Sequence, residues 1–159
     1  MYFKLDATQK LQSRFICEEY FPAIIEFSSE ELNNHFMEFN YQDTDMFELS
    51  VHPKTHALKR FTLTLCNHYE IIDAKMEYPS STEGVISIDG PTASECNIFI
   101  LKVYNNGAFI ELSDTSAERY IKSGNLIFAL SKDHDIVGIY LTDLTEQHVT
   151  HIKTELNMK

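Results

Sequence analysis

Apolar and polar positions alternate along much of the chain from residue 45 onward, which is the pattern of β-strands with one buried face. Every second residue is apolar over 47–51 and again over 61–65, and threonines separate the apolar residues of the second segment. Turn-forming residues set off further strand-like segments downstream. The pattern therefore predicts additional strands over 84–88, 125–130 and 136–142.

The strongest local signal is a β-hairpin centred on Asn105, Asn106 and Gly107. The β-rich runs NIFILKVY and AFIELS flank these residues, and Asn-Gly suits a hairpin turn because both residues tolerate positive φ. Segments 98–101 and 126–130 are apolar without alternation. Strands of that kind are usually covered on both faces, so we expect both segments to lie centrally in a sheet.

The first third of the chain predicts two short helices. Apolar residues at helical spacing allow one helix within residues 7–20, and Pro22 ends anything helical before it. Ser28 and Glu31 have the spacing of a capping box, and apolar residues follow at helical intervals as far as Phe39. These residues predict a second helix that begins near Ser28.

A third helix is predicted at the C-terminal end, in the segment TEQHVTHIKTEL. Val149, Ile152 and Leu156 form one apolar stripe at helical spacing, and Asp143 or Thr145 can cap the start of the helix. We expect the stripe to pack on the sheet.

These elements predict an α+β fold, a predominantly antiparallel β-sheet of about six to eight strands with short helices near both termini. A β-sandwich with peripheral helices is the alternative. The 159 residues (18.4 kDa) contain only five glycines and four prolines, and no linker-like or repetitive segment divides them. We expect a single domain over residues 1–159.

The formal net charge is −11, from 24 acidic and 13 basic residues. That balance argues against direct binding to nucleic acid or to an anionic membrane and favours a basic partner. The N-terminal segment lacks the basic and apolar regions of a secretion signal, and no apolar stretch approaches the roughly 20 residues that cross a bilayer. We therefore expect a cytoplasmic protein.

The negative charge is concentrated near the N-terminus. Residues 15–53 contain no lysine or arginine, and the rest of the chain, with fifteen acidic residues against all thirteen basic ones, is nearly balanced. The segment contains nine carboxylates, namely Glu18, Glu19, Glu26, Glu30, Glu31, Glu38, Asp43, Asp45 and Glu48. A solvated acidic surface is the simplest interpretation, and an acidic face that steers a cationic protein into contact is the functional one. Tyr20 and Tyr41 are the aromatic residues that we expect to be exposed on such a face.

Candidates for catalysis or metal binding are weaker. Cys17, Cys66 and Cys96 show no metal-binding spacing, and we expect reduced, mostly buried thiols without a catalytic role. Two histidine pairs, His52 with His56 and His148 with His151, each offer two ligands where zinc generally requires three or four. The residues Asp133-His134-Asp135 are typical of a turn. We assign no catalytic residue, metal or cofactor, and expect no enzymatic activity.

The segment GAFIELSDTSAERYIKSGNLIFALSKDHDIVGIYLTDL, residues 107–144, resembles a small uncharacterised bacterial β-domain. The likeness rests on Leu112-Ser113-Asp114 and on Ile136-Val137-Gly138-Ile139, and it transfers no functional residues. In size, acidity, reduced cysteines and its β-rich C-terminal half, the chain is also similar to the immunity proteins of bacterial polymorphic toxin systems, including contact-dependent growth inhibition.

That resemblance implies a cytosolic inhibitor that binds a basic toxin domain, commonly a nuclease, and occludes its active site. Docking through the acidic face and addition of a strand to a sheet edge both remain open as binding modes. Two other functions also remain open. One is an enzyme or metal-binding protein built on the histidines, and the other is a structural module that self-associates through exposed strands.

Overall fold

The computed structural model of the protein describes residues 1–28 and 34–157. Within these ranges the chain forms fifteen β-strands and one α-helix, numbered here in chain order. The strands are β1 Tyr2–Asp6, β2 Arg14–Phe15, β3 Ala23–Glu26, β4 His35–Tyr41, β5 Asp45–Val51, β6 Leu58–Leu65, β7 Tyr69–Ile71, β8 Thr82–Glu83, β9 Val85–Asp89, β10 Ala93–Glu95, β11 Ile100–Val103, β12 Ala108–Glu111, β13 Arg119–Ser123, β14 Leu126–Leu130 and β15 Ile136–Leu141. The helix, α1, spans Glu146–Asn157.

Six strands form the first large sheet, in the spatial order β10-β4-β5-β6-β3-β2. Neighbours are antiparallel except β10, which runs parallel to β4 at one edge. The β4–β5 hairpin turns through Gln42 and Asp43, whose φ angles of 50° and 58° are those of a type I′ turn. The side-chain oxygen of Asn40 accepts the Asp43 N–H at 2.9 Å and so stabilises the turn.

Seven strands form the second large sheet, in the order β7-β11-β12-β15-β14-β13-β8. The five inner strands are antiparallel to one another, and the edge strands β7 and β8 run parallel to their neighbours. The predicted β11–β12 hairpin is confirmed, but Asn105, Asn106 and Gly107 do not take positive φ. Gly107 is required for space instead, because a Cβ atom there would lie 2.5 Å from the Leu141 carbonyl oxygen.

The third sheet is the antiparallel pair β1–β9, which lies at the side of the two large sheets. Phe3, Ile86 and Ile88 alternate with polar residues along this pair, and all three belong to the main core. Phe3 packs against Phe128 of the seven-stranded sheet, with ring centroids 6.1 Å apart. A bridge between Ala57 and Ser87 connects β9 to the six-stranded sheet.

One hydrophobic core joins the two large sheets, each of which contributes the alternating side chains of one face. Phe47 on β5 lies near its centre, stacked on Phe39 at 4.6 Å and packed against Phe61 at 5.6 Å. Across the interface, Phe47 contacts Phe99 just before β11, with ring centroids 6.2 Å apart. Two sheets whose inner faces pack together in this way form a β-sandwich.

The predicted C-terminal helix is confirmed as α1. Thr145 is the capping residue, since its hydroxyl oxygen accepts the His148 N–H at 3.2 Å. Val149, Ile152 and Leu156 are buried in the main core, as their helical spacing predicts. None of the described helices is long and apolar enough to cross a lipid bilayer.

The period-two patterns are confirmed as strands. Segments 47–51 and 61–65 lie in β5 and β6, and 84–88, 125–130 and 136–142 correspond to β9, β14 and β15. Every residue of β14 is buried, as its unbroken apolar run predicts. Segment 98–101 differs, because its residues alternate between buried and half-buried positions near a sheet edge.

The first predicted N-terminal helix is wrong, and so is the described part of the second. Residues 7–20 contain the short strand β2 and turns, and Phe36 and Phe39 lie on opposite faces of strand β4. Pairing with β5 along its whole length outweighs the weak helical spacing of these residues. The start predicted from Ser28 and Glu31 falls largely outside the described residues. Over residues 1–28 and 34–157 the fold is therefore mostly β with one C-terminal helix, closer to the sandwich alternative than to an α+β fold with helices near both termini.

Candidate functional site

The outer face of the six-stranded sheet carries a group of acidic side chains. Neighbouring strand residues point to opposite faces, so Glu26, Glu38 and Glu48 point away from the core, which takes Ile25, Phe39 and Phe47. Glu18, in the loop before β3, forms an ion pair with Arg60 on this face at 3.6 Å. We call the surface formed by Glu18, Glu26, Glu38, Glu48 and Phe36 the acidic sheet face.

Glu38 and Glu48 lie directly opposite each other on β4 and β5. Like charges at facing positions of an antiparallel pair repel each other. Burial, together with the negative charge of Glu38, raises the pKa of Glu48 above its usual value, and Arg60 offsets this only in part. Among the described residues, neither Glu38 nor Glu48 makes an ion pair within 4 Å. Their paired carboxylates therefore favour a cation that approaches from outside.

Two arginines neutralise part of the face. Arg14 Nη2 lies 2.8 Å from Glu26 Oε1 on the neighbouring strand, and Arg60 is paired with Glu18 as described above. The uncompensated charge on the face is therefore concentrated at Glu38 and Glu48.

A shallow depression of about 280 Å³ lies beside this pair. Phe36 stands at its rim with 50% of its surface exposed, and Ile24 is buried beneath. The lining residues are Glu18, Phe21, Ile24, Phe36, Glu48, Ser50, Arg60, Thr62 and Thr64. The site thus combines an exposed ring, hydroxyl groups and carboxylates, an arrangement that can accommodate a lysine or arginine side chain.

Tyr20 projects beside this face from a tight turn. The turn is closed by a hydrogen bond from Phe21 N–H to the Glu18 carbonyl at 3.3 Å, and Tyr20 has a φ of 75°, which usually requires glycine. Glu155 of α1 holds this conformation, because its carboxylate accepts the Tyr20 N–H at 3.0 Å. His151 bonds the Phe21 carbonyl at 2.9 Å. The Tyr20 side chain is nevertheless 71% exposed, consistent with the exposure predicted for it.

Asp45, one of the predicted partner-binding residues, is fully buried and points away from any such surface. It accepts hydrogen bonds from the Asn67 N–H at 2.7 Å, the His68 N–H at 3.0 Å and the Thr44 hydroxyl at 2.8 Å. Its Oδ2 also lies 2.6 Å from Nδ1 of His68. Burial opposes ionisation of Asp45, but these hydrogen bonds outweigh it and lower its pKa. Asp45 is therefore a structural anchor, and we leave it out of the proposed surface.

Three of the five remaining predicted residues lie in the part of the chain that the structure describes. Glu19 is exposed in the turn next to Tyr20, and Asp43 is exposed in the β4–β5 turn. Tyr41 is half-buried and packs edge-on against His68 at 5.7 Å, so it is less exposed than expected. Glu30 and Glu31 lie outside the described residues.

Histidines of both predicted pairs make local contacts within the fold. His52 Nδ1 accepts the Lys54 and Thr55 N–H groups at 3.1 and 3.2 Å. His148 stacks on Phe15 with ring centroids 4.6 Å apart. Over residues 1–28 and 34–157, no group of three His, Cys, Asp or Glu side chains is arranged to hold a metal ion.

The three cysteines, all within the described residues, form no disulfide bond. Cys66 is buried and Cys96 is half-buried, whereas Cys17 is exposed, contrary to the expectation of a buried thiol. Burial, reinforced by the charge of Glu95, raises the pKa of Cys96 to about 11. A thiol in that state is a poor nucleophile.

Phe36, Arg60 and Glu155 belong to the site but were not predicted from the sequence. The alternation of His35, Met37, Phe39 and Tyr41 could have predicted a strand with Phe36 and Glu38 on its outer face. The pairing of Arg60 with Glu18, and of Glu155 with the Tyr20 backbone, joins residues far apart in the chain. No local pattern reveals such contacts.

Comparison with known proteins finds no matching family model and no curated protein with a matching sequence. What the protein can bind is therefore inferred from the geometry of the site.

Proposed function

We propose that this chain is a cytoplasmic immunity protein that binds a basic toxin domain, such as a nuclease, through the acidic sheet face and occludes its active site. The facing pair Glu38 and Glu48, beside the exposed ring of Phe36, is the observation that carries this proposal. A lysine or arginine of the partner would relieve the repulsion between the two carboxylates. Relief of the repulsion between Glu38 and Glu48 would thus contribute to the binding energy.

The negative charge of the protein and its exposed aromatic rings would contribute differently to such a complex. The net charge of −11 attracts a cationic protein over long range and raises the association rate roughly 10- to 1,000-fold. Phe36 and Tyr20 supply apolar surface, and buried aromatic residues are frequent hot spots of interfaces. A nuclease surface is positively charged because it binds phosphates, so the two surfaces would be complementary.

The test measures binding of this chain to a purified basic toxin domain of the nuclease class. We expect the double variant Glu38→Gln/Glu48→Gln to weaken binding about tenfold or more, mainly through slower association, with a smaller dependence on salt than the wild type. Association and dissociation rates across a salt series measure this effect.

The matched control is Glu77→Gln/Asp114→Asn, which removes the same charge at exposed positions away from the face. Equal losses in both double variants, or none in either, would contradict the assignment of the face. Unfolding in denaturant serves as a second control. Because the Glu38–Glu48 pair is repulsive, its removal should leave the protein at least as stable as the wild type.

A further inference from the structure

The outer face of the seven-stranded sheet carries four aromatic rings, on the opposite side of the sandwich from the acidic sheet face. We call the surface formed by Tyr104, Phe109, Tyr120 and Tyr140 the aromatic sheet face. Phe109 and Tyr140 lie 4.4 Å apart between ring centroids, and Tyr120 meets Tyr140 at 6.5 Å, nearly edge-on. Burial, together with the neighbouring Tyr120 and Tyr104 hydroxyls, raises the pKa of Tyr140.

The register places these rings in the middle of the sheet. One row across the strands reads Glu70, Lys102, Phe109, Tyr140, Ile127, Lys122 and Glu83. Apolar side chains thus occupy the three central strands, and a lysine stands on each side.

Gly138, on the neighbouring row of this face, leaves space for the ring of Phe109 to lie over the sheet. A Cβ atom at position 138 would lie 2.6 Å from Cε1 of Phe109, so any other residue would displace this ring. The result is a continuous apolar surface rather than a set of separate side chains.

The contacts of the described residues place neither α1 nor residues 72–81 over the middle of this face, where the rings lie above Ile127, which is only 2% exposed. The buried residues of α1 join the main core on the inner side of the sheets. Residues 72–81 connect the two edge strands of this sheet, and they are bound at its end, where Tyr78 donates a hydrogen bond to the Asn106 carbonyl at 2.8 Å. Tyr104, Phe109, Tyr120 and Tyr140 are each half-buried and keep accessible surface.

The charges around the face nearly cancel, unlike those of the molecule as a whole, because Lys10, Lys102 and Lys122 stand against Glu70, Glu83, Glu111 and Asp143. Lys102 is paired with Glu111 at 3.5 Å, and Lys122 with Asp143 at 3.8 Å. Two copies that each carry a net charge of −11 repel most weakly where both surfaces are neutral. Lysines and carboxylates that alternate around an apolar centre can also form ion pairs between two copies.

From these observations we propose that the aromatic sheet face binds a second copy of this chain, outer face to outer face, to form a symmetric dimer. Stacking of two sheets through apolar faces is a stable arrangement, and a shared patch on both subunits gives a closed dimer. Because the acidic sheet faces lie on the far side of each sandwich, both would point outward and remain free.

Sedimentation velocity and light scattering over a concentration series test the dimer. We expect the wild type to show a reversible monomer–dimer equilibrium and Tyr120→Glu to weaken it at least tenfold. The matched control is Tyr2→Glu, at a tyrosine that is 67% exposed on the separate β1–β9 sheet. It should dimerise like the wild type.

A second pair of variants keeps the test decisive if Tyr120→Glu fails to fold. Lys102→Glu/Lys122→Glu gives the face a strong negative charge without altering its rings and should abolish the dimer. Lys54→Glu/Lys132→Glu makes the same charge change at exposed positions elsewhere and should not. A wild type that stays monomeric at all concentrations, or a dimer that survives Lys102→Glu/Lys122→Glu, would overturn the proposal.

Discussion

Tyr20 shows how a single residue can be held in an unfavourable conformation by a distant part of the chain. Its φ of 75° costs a residue other than glycine about 1–2 kcal/mol. The Glu155 carboxylate, 135 positions away, accepts its N–H and stabilises that conformation. Strain retained at an exposed aromatic residue favours a binding role, since a purely structural turn would be better served by glycine.

The backbone strain at Tyr20 predicts the effect of Tyr20→Gly on stability. Relief of the backbone strain offsets the greater flexibility of glycine in the unfolded chain. We therefore expect the free energy of unfolding to stay the same or rise by up to about 1 kcal/mol. Urea denaturation monitored by circular dichroism gives this value.

Tyr2→Gly is the control for Tyr20→Gly, because Tyr2 is also an exposed tyrosine but lies in strand β1 without positive φ. Glycine in a strand lowers stability by roughly 0.5–1 kcal/mol. Equal losses for the two variants would show that Tyr20 is not strained.

At the scale of elements, Asp45 connects strands that are distant in sequence. The residue opens β5, and its carboxylate accepts the N–H groups of Asn67 and His68 in the connection from β6 to β7. That connection leads from the six-stranded sheet to the seven-stranded sheet. A buried carboxylate in this position fixes where the chain crosses from one sheet to the other.

We expect Asp45→Asn to lower the free energy of unfolding by roughly 2–3 kcal/mol near neutral pH, because it weakens several hydrogen bonds to a buried charge. The lowered pKa of Asp45 means that its contribution is complete above the ordinary value of 3.8 and is lost as the pH falls through its folded-state pKa. The difference between variant and wild type should therefore shrink in acid. Denaturation curves over a pH series measure it.

Asp43→Asn provides the comparison for Asp45→Asn, since Asp43 is exposed in the adjacent turn, where asparagine tolerates the backbone angles. Its effect should stay within about 0.5 kcal/mol. A loss at Asp43 as large as that at Asp45 would contradict the anchoring role.

At the scale of the whole molecule, the sandwich separates two surfaces of different character. Carboxylates dominate the outer face of one sheet, and four aromatic rings lie on the outer face of the other. Because the sheets share their inner faces, one surface can be occupied without blocking the other.

If both proposals hold, the dimer binds two partner domains. Light scattering of the wild type mixed with the basic domain should give a complex of two copies of each protein. Tyr120→Glu should give a one-to-one complex with the same intrinsic affinity. A wild-type complex that contains only one copy of each protein would show that the partner and the second copy compete for one surface.

Sequence reasoning worked best where the structure is local and one face is buried. Strands β5, β6 and β14, the β11–β12 hairpin and the buried stripe of α1 follow from hydrophobic spacing, because spacing reports directly which side chains leave water. It was wrong for residues 7–20 and for Phe36, where long-range strand pairing outweighs weak helical spacing. The distribution of charge along residues 15–53 showed where carboxylates accumulate in the chain but not which of them share a face.

The period-two strands, the C-terminal helix and the accumulation of negative charge near the N-terminus follow from the order and type of neighbouring residues. Three features depend on the assembled sheets instead: Asp45 is an internal anchor, Arg14 and Arg60 neutralise two glutamates, and Glu38 and Glu48 face each other. Strand pairing brings residues from distant parts of the chain together, and a charge acts according to what stands beside it. That pairing is a property of the assembled sheets, which the local pattern of residues does not contain.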